Sequence, residues 1–385
     1  MLLLVFSSSE SELSSKAFAI LENAQPDLVS AMLSEQRFNR IACQFLAKLN
    51  PEPLLLSRLC SITISALIIQ PNSIIDTCGF ILQFLSYSDH VSVFSLYEML
   101  CKNNESSIGI QNWLIDVGFP ELLYKEIEST ENVALETRDF DELLISYFSI
   151  VKISTTSRVL TNHFKTREYV SILNMFIGEY PIRVECYRWE ALSFIISNST
   201  MESMRGVFQS AIELLTNRLY SPTLAGFSCV KILSFMLDKD PELTQFFNMF
   251  NVPRIIGNLI ILYQDHSSLH NVCREFFGIC LRNQIMFDQA LNNLIPIVMG
   301  GIFSSSRTLV STATRLLLVL SQLIEDDESI YNKVNSVPGF ISISQQFLSQ
   351  YHQVMDSDFG MQTSFVYSDN ASELAENTLK YIRSW

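Results

Sequence analysis

Glycine and proline are scarce in this sequence, which has 12 glycines and 11 prolines among 385 residues. Both residues interrupt regular structure, so their scarcity favours long helices with short connections. The sequence also lacks stretches of alternating apolar and polar residues bounded by hairpin turns, the pattern of half-buried strands. These two absences argue against a β-sheet fold and predict an all-α protein.

Charged residues are also few, and basic residues are the scarcer kind. They make up 17% of the chain, with 26 Lys and Arg against 40 Asp and Glu, for a formal net charge of −14. Binding to nucleic acid depends on clustered Lys and Arg that contact phosphates. The sequence therefore predicts no nucleic-acid partner.

The cysteine pattern and the apolar runs bear on the cellular compartment. The eight cysteines are scattered without a CxxC pair, which predicts free thiols. The first six residues, MLLLVF, lack the basic region and the longer apolar core of a signal peptide. The apolar stretch 62–85 is broken by Gln70, Pro71 and Asn72, so we expect no membrane-spanning segment there. The expected location is cytoplasmic or nuclear, without a membrane partner.

Motifs of catalysis are missing as well. The sequence has no Gly-rich phosphate loop, no GxSxG elbow and no HRD-type catalytic loop. We therefore expect a protein that is not an enzyme and has no catalytic residues and no cofactor.

One histidine pair has the spacing of metal ligands. His266 and His270 lie four residues apart, and Cys273 could extend that face. The zincin motif needs a glutamate after the first histidine, where this chain has Ser267. A zinc site also needs three or four convergent ligands. We expect no metal, with His266 in a turn and His270 in the first turn of a helix.

Helical periodicity is the main feature that is present. Apolar residues recur at i, i+3, i+4 and i+7 within 269–281 and again within 309–324. The mean hydropathy of +0.22 is high for a protein without membrane spans, and helices covered on two sides explain it. The predicted fold is a right-handed superhelix of antiparallel helices, a solenoid of the armadillo or HEAT kind.

The expected organisation follows from turn signals along the chain. We expect a disordered tail over 1–12, a helical-repeat solenoid over 13–352, a loop over 353–370 and a terminal helix over 371–385. No fixed sequence period is evident, so the repeats are expected to be degenerate.

Charge is unevenly distributed between two neighbouring segments. Residues 121–142 are acidic, and residues 152–188, which include Arg183 and Arg188, are mildly basic. Each segment is interpretable either as an ordinary solvated surface or as a polarised docking surface for a partner of opposite charge. Trp113 is likewise interpretable as core packing or as a partner contact.

Two segments resemble a known family, the SAPS-domain proteins, of which this chain would be a degenerate member. The first, 53–123, has a Pro-Leu helix start, a serine-containing apolar helix, a Gln-Pro turn and a later Trp-Leu that opens a helix. The second, 226–281, has a Val-x-x-Leu-Ser helix followed by a Leu-His-Asn sequence. The matching residues are Pro53, Leu54, Leu55, Ser65, Pro71, Trp113, Leu114, Val230, Leu233, Ser234, Leu269, His270 and Asn271.

The resemblance implies a non-catalytic regulatory subunit that binds the catalytic subunit of a protein phosphatase six-type Ser/Thr phosphatase and directs it to substrates. The expected partner-binding residues are Trp113, Arg183, Arg188, His270 and Asn271. The alternative is a helical-repeat adaptor for transport or trafficking that binds peptide segments of other proteins.

Overall fold

The computed structural model describes residues 2–6, 11–34, 36–48, 51–71, 78–103, 105–137, 140–175, 177–326, 328–337 and 339–356. These residues form α-helices and three short 3-10 helices, and no strand occurs among them. The prediction of an all-α helical-repeat fold is confirmed. The chain divides into two compact units, Met1–Ser210 and Ala211–Trp385, where the sequence predicts one array over 13–352. In a repeat array each helix contacts only its near neighbours. A predicted single array can therefore divide into two units that are each compact.

The first unit contains short and medium-length helices joined by tight turns. Its elements are α1 (Leu2–Val5), α2 (Glu12–Glu22), α3 (Pro26–Ser34), α4 (Arg37–Leu46), α5 (Pro53–Ile69), the 3-10 helix η1 (Gly79–Tyr87), α6 (Val91–Cys101), η2 (Glu105–Ser107), α7 (Ile108–Asp116), α8 (Phe119–Thr137), α9 (Asp141–Ser154), α10 (Thr161–Phe164), α11 (Arg167–Asn174), α12 (Ile182–Ile195) and α13 (Met201–Met204). Helix α14 (Val207–Thr216) begins in this unit and ends in the next.

Helices of the first unit form two layers. One layer runs α2, α5, α6, α9 and α12, each contacting the next, and the other runs α4, η1, α8, α11 and α13. Pairs such as α8 with α9 and α11 with α12 join the layers. The predicted Pro-Leu helix start is present, since Pro53 is the first residue of α5, where its missing N–H costs no hydrogen bond.

The second unit has the same two-layer arrangement. Its elements are α15 (Leu224–Lys239), η3 (Pro241–Leu243), α16 (Thr244–Met249), α17 (Val252–Leu262), α18 (Ser267–Cys280), α19 (Phe287–Gly301), α20 (Arg307–Asp326), α21 (Glu328–Asn335) and α22 (Phe340–Asp356). Helices α15, α18 and α20 form one layer, and α17 and α19 form the other. The apolar face predicted for 269–281 is buried as expected: Leu269, Val272, Cys273, Phe276, Phe277 and Cys280.

A structural repeat of about 42 residues runs through the second unit. Hydrogen bonds join residues that far apart in sequence, as in Ser221 with Tyr263 and in Ser306 with the carbonyl of Gln264, each pair separated by 42 positions. Armadillo and HEAT repeats have periods of about 40–47 residues. The repeat therefore exists in three dimensions although no fixed sequence period is evident.

The predicted chain ends need correction. The expected tail over 1–12 contains α1, and Val5 is buried while its carbonyl accepts a 2.8 Å hydrogen bond from Ser14 Oγ. The MLLLVF run is apolar enough to pack against α2 and α4. At the other end, α22 continues to Asp356, past the start of the loop predicted for 353–370. The rest of that loop and the helix predicted for 371–385 lie outside the described residues.

One described helix has the length and composition of a membrane span. The segment Arg307–Glu325 of α20 has a mean hydropathy of 1.2 over its most apolar 18 residues. It packs against α18, α19 and α21, and buried helices of soluble proteins have the same composition. This helix is therefore weak support for membrane insertion.

Candidate partner-binding site

Arg188 lies in the interior of the first unit. Its side chain has no exposed surface, and Nη2 lies 2.6 Å from Oε1 of Glu131, a residue of α8. Its Nε lies 3.8 Å from Oε1 of Glu185, and Nη1 donates a hydrogen bond to the carbonyl of Leu173. The expectation that Arg188 contacts a partner is therefore corrected, because the guanidinium is enclosed by its own fold.

Aromatic rings and backbone groups complete this buried cluster. The guanidinium carbon of Arg188 lies 4.8 Å from the ring centroid of Tyr180 and 5.0 Å from that of Phe148. Tyr180 donates its hydroxyl hydrogen to the backbone carbonyl of Glu131, at 3.1 Å. The backbone N–H of Gly178 donates to Oε1 of Glu185, at 3.0 Å. The cluster thus fastens α8, the end of α11 and α12 to one another.

Two carboxylates share one guanidinium here, so the cluster has excess negative charge in a dry environment. Burial raises the pKa of Glu131 to about 7, although the charge of Arg188 opposes the rise. Burial also raises the pKa of Glu185, again against Arg188. Burial disfavours the charged form of a carboxyl group, which is the cause of both shifts.

The acidic and basic segments noted in the sequence are partners of each other. Besides the contact between Glu131 and Arg188, Arg183 of α12 pairs through both terminal nitrogens with Glu142 of α9. The pair between Arg183 and Glu142 is exposed at the surface. Residues 121–142 and 152–188 therefore neutralise one another in part. This favours the interpretation of the two segments as structural surfaces, with Arg183 still accessible from solvent.

Trp113 lies near the middle of α7 and does not open a helix as predicted. The helix begins five residues earlier at Ile108, and Trp113 is half-buried whereas Leu114 is fully buried. Gln111 anchors α7, since its Nε2 donates to the carbonyls of Leu100 and Lys102. Trp113 is therefore partly packed and partly available to a partner.

His270 lies in the first turn of α18, as expected from the sequence, and Asn271 follows it in the same helix. His266 caps that helix, and its Nδ1 accepts a 3.2 Å hydrogen bond from the N–H of Leu269. His270 is buried; its Nε2 lies 3.1 Å from the carbonyl of Ile260, and its Nδ1 lies 3.0 Å from Oγ1 of Thr312. A carbonyl only accepts, so the ring carries its hydrogen on Nε2 and Nδ1 accepts from Thr312.

This environment makes His270 a structural residue. Burial lowers the pKa of His270, which keeps the ring neutral. Neighbouring Asn271 is exposed and remains accessible to a partner. Among the described residues, no group of three or more His, Cys, Asp or Glu side chains converges as metal ligands would.

The structure also exposes an apolar surface that the sequence analysis missed. We call Phe246, Met249, Phe250 and Ile285 the α16 patch; their exposed fractions are 49%, 68%, 42% and 54%. The first three lie at i, i+3 and i+4, which places them on one face of α16 and its C-terminal end. The spacing of apolar residues in 246–250 indicates an apolar helix face. Such faces usually pack into the core, so the spacing alone does not predict an exposed patch.

Two hydrogen bonds hold the loop that carries Ile285, and the first turn of α19 that follows it, near α16. Asn283 Nδ2 donates to Oγ1 of Thr244 at 3.4 Å, and Gln289 Nε2 donates to the carbonyl of Asn248 at 2.9 Å. The patch is therefore built on fixed elements, and exposed apolar side chains gathered in this way are typical of protein-binding surfaces.

The five predicted partner-binding residues are distributed over both units. Trp113, Arg183 and Arg188 belong to the first unit, whereas His270 and Asn271 belong to the second. Three of them, Trp113, Arg183 and Asn271, reach the surface.

Comparison with known proteins gives no family assignment. No protein-family model matches the chain, and no curated protein matches it. Among solved structures, an engineered protein from the Northeast Structural Genomics Consortium aligns over 99% of this chain and 98% of its own, with 12% identity and a TM-score of 0.46. A likeness at this level is too weak to support a functional inference.

Proposed function

We propose that this protein is a non-catalytic scaffold that binds the catalytic subunit of a phosphatase six-type Ser/Thr phosphatase and directs it to substrates. The resemblance of segments 53–123 and 226–281 to the SAPS-domain proteins motivates the choice of partner. The observation that carries the proposal is the α16 patch, because three of its four residues lie inside the second of these segments.

The residues expected to bind the partner divide into two roles under this proposal. Trp113, Arg183 and Asn271 are accessible and are the candidate partner contacts. Arg188 and His270 are enclosed and act as positioning residues, since they fix α12 and α18. Apolar and aromatic side chains near the centre of an interface commonly contribute most of its affinity. The α16 patch is accordingly the expected main contact of the second unit with the partner.

The direct test is binding of the purified chain to a purified phosphatase six-type catalytic subunit, measured by biolayer interferometry. The double variant Phe246→Asp, Met249→Asp should bind the catalytic subunit about tenfold or more weakly, a loss of about 1.4 kcal/mol in binding free energy. Leu219→Asp is the matched control, because Leu219 is also apolar, is 74% exposed and lies outside the patch.

The charge contribution is tested separately with Arg183→Glu. We expect slower association at low salt and a smaller difference at high salt, because exposed charges act mainly by steering. Native pull-downs that repeatedly recover peptide-bearing cargo and no phosphatase catalytic subunit would contradict this proposal. The alternative, a helical-repeat adaptor for transport or trafficking, would then be the better one.

A further inference from the structure

The second unit contains a cavity with an unusual combination of charge and apolar surface. It has a volume of about 420 Å³ and lies between α20, α22 and the turn before α20. Its lining includes Arg307 and Arg315 of α20, together with Ser304 and Ser311. Phe347 and Tyr351 of α22 also line it. Cavities of this size are suited to small organic groups.

The two arginines are positioned to act together. Arg307, Ser311 and Arg315 are spaced four residues apart, so they share one face of α20. Helical side chains lean towards the N-terminus of their helix, which brings the Arg315 side chain over the turn of Ser311. All three residues line the cavity.

Neither arginine has a carboxylate partner within the part of the chain that the structure describes. Arg307 and Arg315 are exposed, and no ion pair joins either to another described residue. Both arginines line the same cavity, so two positive charges border it without a described carboxylate to neutralise them. Arginine recognises phosphate through paired N–H groups, and serine hydroxyls donate to phosphate oxygens.

Two aromatic residues also line the cavity. Phe347 is buried and Tyr351 is half-buried, and they lie four residues apart on α22. Phe347 is only 1% exposed, so Tyr351 is the ring that a ligand can reach. An inorganic anion would leave Tyr351 uncovered, whereas a phosphate attached to a flat organic group would cover it. The arrangement therefore favours a monoester over free phosphate.

We propose that this cavity binds a phosphate monoester, with Arg307 and Arg315 holding the phosphate and with Tyr351 contacting the organic group. The monoester is either a small molecule or a phosphorylated tyrosine side chain, which share this chemistry. The proposal is independent of phosphatase binding, because none of its residues belongs to the α16 patch.

The test is calorimetric titration of the full chain with phenyl phosphate, inorganic phosphate and phenol as probes. We expect phenyl phosphate to bind more tightly than either of the other two. Arg307→Gln and Arg315→Gln should each weaken phenyl phosphate binding about tenfold or more, because each removes charge-assisted hydrogen bonds. Arg282→Gln is the control, since Arg282 is exposed in the same unit and does not line the cavity.

A tripeptide with a central phosphotyrosine distinguishes the two sources. Tighter binding of the tripeptide than of phenyl phosphate identifies a protein side chain, and weaker binding identifies a small monoester. Absence of heat with phenyl phosphate at millimolar concentration would overturn the proposal. So would equal loss of binding in the Arg282→Gln control, because that result would indicate a nonspecific charge effect. Circular dichroism of each variant checks that the fold is intact.

Discussion

Two arginines five residues apart on α12 have opposite environments, although both belong to the same basic segment. Arg188 is enclosed with Glu131 and Glu185, whereas the Arg183 side chain is 64% exposed beside Glu142. A buried charge that loses its partner keeps the full cost of desolvation, whereas an exposed pair exchanges its partner for water. Burial, which the local sequence does not specify, therefore decides the importance of each residue.

The same substitution at both positions measures this difference. We expect Arg188→Met to lower the free energy of unfolding by about 3–5 kcal/mol, because it leaves two buried carboxyl groups without a cation. Arg183→Met should cost about 1 kcal/mol or less. Urea unfolding followed by circular dichroism provides the comparison. Equal destabilisation by the two variants would contradict the buried cluster.

Protonation of the buried cluster gives a second prediction at this scale. The pKa of Glu131 rises from the ordinary 4.5 to about 7, so between these values the folded state binds more protons than the unfolded state. The stability contributed by this group is therefore lost as pH rises through that window. The charged groups facing the Glu131 carboxyl are Arg188 and Glu185, and the Tyr180 hydroxyl donates to the backbone carbonyl of the same residue.

We expect Glu131→Gln, which resembles the protonated carboxyl, to raise the melting temperature relative to wild type at pH 8 and to change it little at pH 5. Thermal unfolding at pH 5, 6, 7 and 8 tests this, with the exposed Glu142→Gln as control. A difference between Glu131→Gln and wild type that is independent of pH would show that Glu131 does not titrate in this window.

At the scale of secondary-structure elements, close approach of backbone segments fixes where a helix can lie. A Cβ atom added to Gly226 would lie 2.1 Å from the carbonyl oxygen of Ser221, in the turn that precedes α15. Gly278 in α18 has no heavy atom within 4 Å of the corresponding position. Packing therefore requires glycine at position 226 but not at position 278.

Alanine at each glycine separates packing from helix propensity. Gly226→Ala should destabilise the protein by about 1–3 kcal/mol, because the turn must move to admit the methyl group. Gly278→Ala should stabilise it by about 0.5–1 kcal/mol, since alanine loses less conformational freedom in a helix. Thermal unfolding followed at 222 nm, a standard wavelength for helix, would measure both. Stabilisation by Gly226→Ala would mean that the turn and α15 are further apart than described.

At the scale of the whole molecule, burial of thiols shows how thoroughly the helical layers cover the core. Six of the eight cysteines are buried, and Cys43 and Cys186 are partly exposed. Burial also raises the pKa of Cys60 and of Cys101 to about 12 each, which keeps them as unreactive thiols at neutral pH. Every cysteine of the second unit, Cys229, Cys273 and Cys280, belongs to the buried group.

We expect a thiol reagent to label Cys43 and Cys186 rapidly in the native protein and the other six only after unfolding. Mass spectrometry of labelled peptides identifies the sites, and labelling in denaturant, where all eight should react, is the control. Rapid labelling of Cys273 or Cys280 in the native protein would contradict the described packing of α18.

The sequence by itself determined the fold class and many buried helix faces, because helical periodicity is a local property. The apolar positions of α18 are buried where their spacing predicts, and His266 and His270 occupy the predicted turn and first helical turn. Cap residues and prolines likewise act on their immediate neighbours, as Pro53 does at the start of α5.

Only the tertiary structure decided which residues meet across repeats. Glu142, which pairs with Arg183, and Thr312, one of the two partners of His270, lie 41 and 42 residues away, and that separation carries no signal in a single sequence whose repeats have diverged. The same cause explains why Arg188 was assigned to the surface and why the α16 patch was missed. A charge or an apolar face has the same local pattern whether or not a distant helix covers it, so its exposure follows from the packing alone.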